Sequence, residues 1–290
     1  MTLALDALHP HALAPVTQVA GVRLSPRWAA HPVVVAEHAA DGWVASHAWC
    51  DADAFVVRLR WRERIDGGRP FAVEHDASGV SVLAVGSAEG AARLLIAADA
   101  GLQAAGTALG PVVRASVPRG THAVLAAQAP PDGGVPVPFD RPPFDAWDWF
   151  CATAPPAAQP GEGRVAELVG PQARAEAAAC LRAANPHGEL PVDEPRSRWW
   201  GWRDQDGVVR GVAGASRRVP GRPWVLGSIG TDPAWRGRGI AAAVTAAATR
   251  AGLAEVPMVT LGMYAHNDAA RRVYQRLGFG LGQEFESSRP

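Results

Sequence analysis

A dense run of prolines between Pro130 and Pro160 constrains how this chain can fold. Nine of its 25 prolines fall in this stretch. Proline at that density excludes a helix or a central strand, because its ring fixes φ and it has no backbone N–H to donate. The aromatic segment 144–150 inside the run is expected to pack against a folded domain. We therefore predict a linker over 131–162 that separates an N-terminal domain, 1–130, from a C-terminal domain, 163–290.

The composition narrows the class of protein. The 290 residues are 48% hydrophobic, which is enough for a core. The 28 basic residues, all arginine, balance 28 acidic ones, whereas a general nucleic-acid binder is expected to be basic. The absence of lysine excludes Schiff-base chemistry.

Several patterns indicate the compartment and argue against a metal. We find no apolar run of 18 residues and no basic region at the start of the chain, so we expect neither a membrane span nor a signal peptide. Cys50, Cys151 and Cys180 lack CxxC spacing, and the nine histidines form no ligand motif. The expectation is a cytoplasmic protein with reduced thiols and no bound metal.

The first half of the chain is predicted to be α/β. Strands are expected over 54–61, 71–74, 80–85 and 112–115, and Ser87 is expected to cap a helix that runs to about residue 100. The Gly86–Gly90 loop is a weak phosphate-binding candidate, since it lacks the spacing of the known glycine-rich motifs.

The second half shows a more regular alternation of strands and helices. Strands are predicted over 165–168, 199–203, 208–216, 224–229, 258–263 and 281–285. Helices are predicted over 171–184, 237–251 and 267–277. This order is typical of a layered α/β domain.

One segment of the second half carries candidate chemistry. A strand is expected to end near Thr231, and Arg236-Gly-Arg-Gly239 then opens a helix. The first turn of a helix has unpaired N–H groups and the positive end of the helix dipole, and glycine lets a ligand approach the backbone. This pattern favours a pyrophosphate site, with an ordinary strand-to-helix turn as the alternative.

Two motifs in this half resemble the GNAT superfamily of N-acetyltransferases. Arg236-Gly-Arg-Gly-Ile-Ala241 matches Arg/Gln-x-x-Gly-x-Gly/Ala, and the stretch from Asn267 to Phe279 matches Asn-x-x-Ala-x-x-x-Tyr-x-x-x-Gly-Phe with a slip at the alanine. The resemblance covers roughly 163–286. Within the superfamily, the stretch from Leu261 to Asn267 is most similar to the glycine N-acyltransferase group.

The resemblance implies a fold and a co-substrate. The fold is a central mixed, mostly antiparallel sheet with flanking helices, preceded by a second α/β domain; by analogy, a degenerate GNAT-like domain is one alternative for that first domain. The co-substrate is acetyl-CoA, and the acceptor is expected to be a small-molecule amine. We expect no nucleic-acid or membrane partner, and either a monomer or a homodimer.

The resemblance also implies roles for individual residues. The backbone of Arg236–Ala241 would hold the pyrophosphate, the end of the preceding strand would line the pantetheine, and Asn267 would bond near its amide arm. Tyr274 would protonate the leaving thiolate, with core packing as the alternative role. The implied cofactor-binding residues are Ile229, Gly230, Thr231, Arg236, Gly237, Arg238, Gly239, Ile240, Ala241, Asn267 and Tyr274.

The strand before the loop departs from the pattern of many GNAT enzymes. Residues 223–231 contain no Glu, Asp or His that could act as a base, although Ser228 could order a water. The base is then a water chain, a residue elsewhere, or absent; the candidates elsewhere are His187, Glu189, His266 and Asp204. A non-enzymatic acyl-CoA-binding sensor or scaffold is the alternative to an acyltransferase.

Overall fold

The computed structural model describes residues 15–38, 43–61, 79–110, 112–128, 139–217 and 220–289. The strands are β1 Gln18–Val19, β2 Val22–Arg23, β3 Trp43–Cys50, β4 Ala54–Trp61, β5 Val80–Gly86, β6 Val112–Pro118, β7 Asp145–Ala152, β8 Val165–Glu167, β9 Ser197–Arg203, β10 Val209–Ser216, β11 Trp224–Thr231, β12 Val259–Tyr264 and β13 Gly280–Ser288. The helices are α1 Pro26–Ala29, α2 Pro32–Glu37, α3 Ala88–Ala104, α4 Thr121–Gln128, α5 Pro171–Ala184, α6 Ile240–Leu253 and α7 Asp268–Arg276. The predicted mixed α/β class is confirmed.

The described residues fall into two compact units. The N-terminal unit comprises Pro15–Trp149, Tyr264–His266 and Gly282–Pro290, and the C-terminal unit contains Phe150–Met263 and Asn267–Leu281. These bounds differ from the predicted 1–130, 131–162 and 163–290, since the last strand contributes to the N-terminal unit. The division of the chain into separately folding domains stays a prediction.

The N-terminal unit is built on the strand order β3-β4-β5-β6-β13. Its pairs are antiparallel except β5 with β6, which are parallel and joined through α3. Ser87 caps α3 as predicted, because its side chain accepts a hydrogen bond from the backbone N–H of Gly90. Apolar side chains of β4, β5, β6 and α3 form the core of this unit.

A buried carboxylate explains why the end of the chain belongs to this unit. The Glu286 carboxylate accepts hydrogen bonds from the backbone N–H of His122 at 2.8 Å and of Gly120 at 3.0 Å, and it lies 2.6 Å from His122 Nδ1. Burial opposes its ionisation, but these bonds outweigh burial and hold the pKa of Glu286 below its usual range. Glu286 lies on β13, far away in sequence, and its carboxylate thus satisfies backbone N–H groups at the start of α4.

The C-terminal unit has the strand order β8-β9-β10-β11-β12. The neighbours are antiparallel except β11 with β12, which are parallel and joined through α6. Small residues of α6 let it pack closely on this sheet. At Gly211 an added Cβ would come within 2.3 Å of Ile240 Cγ2, so glycine there lets the first residue of α6 lie against β10.

Several sequence predictions differ from the structure. The 237–251 helix begins at Ile240, because Gly237 and Gly239 take left-handed backbone angles that a helix does not use. The segment predicted as a linker contains β7, whose eight residues include no proline. The predicted 71–74 strand and residues 130–138 of the proline-rich run lie outside the described residues.

Two features are absent from the described ranges. None of their helices has the length and apolar character needed to span a membrane. They also bring together no group of three or more His, Cys, Asp or Glu side chains that could hold a metal ion.

Candidate active site

The predicted pantetheine strand, β11, contains a bulge. Val212 of β10 pairs with Gly230 and Gly214 pairs with Gly227, so Ala213 faces two residues of β11. One of these is Ser228, whose φ of 49° is rare for a residue with a side chain. A bulge of this kind bends the strand and re-aims its backbone groups.

The bulge is held by the loop that follows α5. The Ser228 hydroxyl accepts from the backbone N–H of Leu190 at 2.8 Å and donates to the Leu190 carbonyl at 3.1 Å. Gly188 permits this contact, because a Cβ there would lie 2.6 Å from Ser228 Oγ. The hydroxyl is thus committed to protein groups, which argues against the water-ordering role considered from the sequence.

Strand β11 parts from β12 at the bulge. Their parallel register covers Trp224–Leu226 of β11, whereas β11 itself continues to Thr231. In the described part of the chain, the edge of β11 beyond Leu226 is therefore not paired with β12. One group there has a partner, since the Ile229 carbonyl accepts from Asn185 Nδ2 at 3.3 Å.

The predicted pyrophosphate loop joins β11 to α6. Asp232 caps a short 3₁₀ turn, and Gly237 and Gly239 follow with φ of 77° and 79°. Among the described residues, apart from the two chain neighbours, no atom lies within 4 Å of an added Cβ at either glycine. Glycine is therefore required by the left-handed backbone, and the space beside both positions is open.

The first turn of α6 lacks the features that usually satisfy a helix N-terminus. Its N-cap, Gly239, has no side chain to offer, and the turn contains no acidic residue. By contrast, α3 has both the Ser87 cap and Glu89 in its first turn. The N–H groups and the positive dipole end of α6 are thus available to an anionic ligand.

The two arginines of the loop have different surroundings. Arg236 folds back, with its Nε 3.3 Å from the Thr231 carbonyl and its Nη2 3.2 Å from the Ala184 carbonyl. The Arg238 guanidinium lies 4.6 Å from the ring centroid of Trp235. Both arginines are exposed, but Arg236 ties the loop to its own unit, whereas Arg238 lies over the Trp235 ring beside the open space.

Tyr274 lies in the core of the C-terminal unit. Its side chain is buried, with ring centroids 6.5 Å from Phe150 and 6.0 Å from Phe279. Burial raises the pKa of Tyr274 to about 12. The hydroxyl makes no hydrogen bond to the part of the chain that the structure describes, so it remains able to donate.

The raised pKa makes the stability of the folded chain depend on alkaline pH. An unfolded tyrosine ionises near its ordinary pKa of 10, while folded Tyr274 stays neutral to about 12. Its contribution to the free energy of unfolding is full below pH 10 and is lost between pH 10 and 12, by about 1.4 kcal/mol at pH 11. Urea titrations of wild type and Tyr274→Phe from pH 8 to 11 check this: the difference between the two forms should shift by that amount. A constant difference would contradict the burial argument.

Asn267 and Asp204 have structural roles. The Asn267 side chain accepts from the Ala270 N–H at 3.1 Å and caps α7, which leaves its Nδ2 for the predicted cofactor contact. Asp204 is wrong as a base candidate, because its carboxylate accepts from Arg210 at 2.7 Å and from the backbone N–H groups of Asp206 and Val208. The bond from Arg210 is the largest cause that lowers the pKa of Asp204.

The remaining base candidates occupy different places. His187 and Glu189 are exposed in the loop that holds the bulge, between Asn185 and Leu190. His266 stacks on Tyr264 at 5.7 Å and belongs to the N-terminal unit. The sequence analysis did not predict that Asn185 and Leu190 contact β11. Asn185-Pro186 indicates only the end of a helix, and no local pattern indicates a contact between residues some 40 positions apart.

Comparison with known protein families assigns the region that contains β11, α6 and Tyr274 to a family. Residues 168–279 match the profile of the Acetyltransferase (GNAT) family. The chain carries a GNAT acetyltransferase domain. This confirms the predicted family and makes the chain an acyltransferase; the family moves acetyl groups from acetyl-CoA to amines of small molecules or proteins. Assignment to the glycine N-acyltransferase group stays a prediction.

Several solved structures are similar to this chain at low sequence identity. A GNAT-family acetyltransferase from Colwellia psychrerythraea is 12% identical, with a TM-score of 0.48, 92% of this chain covered and 90% of that one. A GCN5-related N-acetyltransferase from Kribbella flavida is 16% identical, with a TM-score of 0.46 and coverages of 84% and 89%. A tandem GNAT protein from the clavulanic acid biosynthesis pathway is 14% identical, with a TM-score of 0.41 and coverages of 83% and 84%. No curated protein matches the chain.

Proposed function

We propose that this chain transfers the acetyl group of acetyl-CoA to the amine of a small molecule, with the diphosphate of CoA on the first turn of α6 and Tyr274 as the general acid. The observation that carries the proposal is the junction of β11 and α6. Within the described ranges, β11 is not paired with β12 beyond Leu226. It leads into a helix whose first turn has no side-chain cap, and two left-handed glycines beside open space lie between them.

The groups at this junction fit the chemistry of CoA. The N–H groups of Ile240 and Ala241 belong to the uncapped first turn, which suits the two negative phosphates. The backbone of Ile229–Thr231 follows the point where β12 departs, which suits the amide-bearing pantetheine arm. When bound, acetyl-CoA supplies the activated acyl group as a thioester.

Tyr274 would provide the proton that the reaction needs. The amine nitrogen forms a bond to the thioester carbon, the C–S bond breaks, and the leaving sulfur takes the phenolic proton. A pKa of about 12 keeps this phenol protonated across the whole working range of pH. The proton lost by the amine goes to water or to His187 or Glu189, which the loop carries beside the bulge of β11.

The proposal is tested by release of free CoA thiol from acetyl-CoA in the presence of a panel of small amines and amino acids. Acylated product in the mass spectrum, formed at a rate that depends on both substrates, supports it. Tight CoA binding with no product from any amine in the panel would favour the binding-module alternative.

Arg238 gives a prediction about the salt dependence of cofactor binding. We expect Arg238→Gln to raise the Kd for CoA about 3- to 10-fold at low salt, because an exposed cation beside a phosphate is worth about 1 kcal/mol. The difference should shrink as salt rises from about 0.05 to 0.5 M. Calorimetric titration at several salt concentrations measures it, with exposed Arg23→Gln on β2 as the control. Equal affinities of Arg238→Gln and wild type at low salt would remove Arg238 from the site.

A further inference from the structure

A cavity of about 490 Å³ opens beside α5. Ala175, Ala178 and Leu181 of α5 form one side, and Pro186 and Val192 of the following loop form the other. Its volume lies within the usual range for a small-ligand site, about 300–1,000 Å³. None of the predicted CoA contacts lines it, although Asn185, which does, donates to the carbonyl of one of them, Ile229.

The wall formed by the loop is fixed in place. The Arg174 guanidinium donates to the carbonyls of Val192 at 2.6 Å, Glu194 at 3.3 Å and Ser197 at 2.9 Å. Five donors in a rigid fork suit arginine to such a task. At its other end the loop is tied to β11 through Asn185 and Leu190. A cavity braced at both ends is preformed, which reduces the ordering cost of binding.

Two opposite charges line this cavity without neutralising each other. Arg182 projects from α5 and Asp193 from the loop. Across the described ranges, neither side chain forms an ion pair or a hydrogen bond, in contrast to Arg174, whose guanidinium is occupied. The other polar residues that line the cavity, Arg174 and Asn185, already bond carbonyl groups of the protein. The cation of Arg182 and the anion of Asp193, beside five apolar lining residues, are complementary to a molecule that carries both charges and an apolar body.

We infer that this cavity binds a small zwitterion with an aliphatic side chain, an α-amino acid of the leucine type. Its carboxylate pairs with Arg182, since guanidinium and carboxylate match in geometry. Its ammonium pairs with Asp193, and its side chain lies on Ala175, Ala178 and Leu181. Each contact is non-covalent and needs no CoA.

Calorimetry of the full chain with L-leucine, without acetyl-CoA, tests the inference. We expect one site per chain. N-acetylleucine lacks the ammonium, leucinamide lacks the carboxylate and glycine lacks the side chain; each should bind at least about tenfold more weakly, because each leaves one partner unsatisfied. No binding of leucine, or equal affinity for all four compounds, would overturn the inference.

Two variants test which charged group of leucine each of the two side chains binds. Arg182→Gln should weaken leucine at least about tenfold and leave leucinamide unchanged, and Asp193→Asn should weaken leucine and leave N-acetylleucine unchanged. Exposed Arg276→Gln and Asp140→Asn are the charge-matched controls, and an unchanged Tm shows that each variant is folded. Leucine binding that survives both substitutions in folded protein would also overturn the inference. Because the assay omits acetyl-CoA, its result does not depend on acetyl transfer.

Discussion

Tyr274→Phe should lower kcat for acetyl transfer by about 10²- to 10⁴-fold, the range that a positioned proton donor contributes. The Kd for acetyl-CoA should change much less, because the proton moves only as the C–S bond breaks. The change removes one oxygen from a ring packed among Phe150 and Phe279, so the fold should persist. Steady-state turnover of both forms with the most active amine, together with calorimetric affinity for acetyl-CoA, measures the effect.

The dependence of turnover on pH distinguishes a Tyr274 that acts as the general acid from one that only packs in the core. Wild-type turnover should rise with pH as more of the acceptor amine becomes neutral, and it should show no fall near pH 10, because the phenol has a pKa of about 12. If Tyr274 only packs, both forms should turn over equally at every pH. That outcome would remove Tyr274 from the mechanism while leaving the CoA site intact.

Gly239→Val should raise the Kd for CoA by about 10- to 100-fold. At a φ of 79° a β-branched residue is strained, so the chain must rotate away from the left-handed conformation and move the first N–H groups of α6. A hydrogen bond to a charged group is worth about 1.5–3 kcal/mol, and the loss of one accounts for this range. Calorimetric titration of wild type and variant with CoA measures it.

The chain offers a matched control for this substitution. Gly221 has a φ of 78° and equally open space around an added Cβ, but it precedes β11, whereas Gly239 follows it. The eight residues of β11, about 26 Å of extended strand, lie between the two positions. Gly221→Val should cost similar stability, about 1–3 kcal/mol, and leave CoA affinity unchanged. Equal losses of affinity in both variants would attribute the effect to the fold and not to the site.

The order of strands and helices in the C-terminal unit could be predicted because its signals are local. The two glycines before Ile240, the proline that begins α5 and the Asp206-Gly207 turn between β9 and β10 each act within a few residues. Local signals conflict where no element was predicted. Three successive valines of α2 favour a strand, but Pro32 at the first helical position and the burial of these valines accompany a helix.

The parts of the candidate site that could not be predicted depend on contacts distant in sequence. The bond between Ser228 and Leu190 joins positions 38 apart, and neither residue belongs to a motif. The sequence does not indicate that the Asp204 carboxylate accepts hydrogen bonds from Arg210 and from two backbone N–H groups, which the folded chain brings to it. The pKa of Tyr274 follows from burial among aromatic rings that only the folded chain assembles.

A crystal structure of the chain with bound CoA tests the central claim most directly. We expect the diphosphate oxygens within hydrogen-bonding distance, about 2.7–3.2 Å, of backbone N–H groups between Gly237 and Ala241, and the sulfur beside the Tyr274 hydroxyl. The pantetheine amides should follow the edge of β11 beyond Leu226. CoA bound with its diphosphate away from the first turn of α6, or with its sulfur remote from Tyr274, would contradict the account.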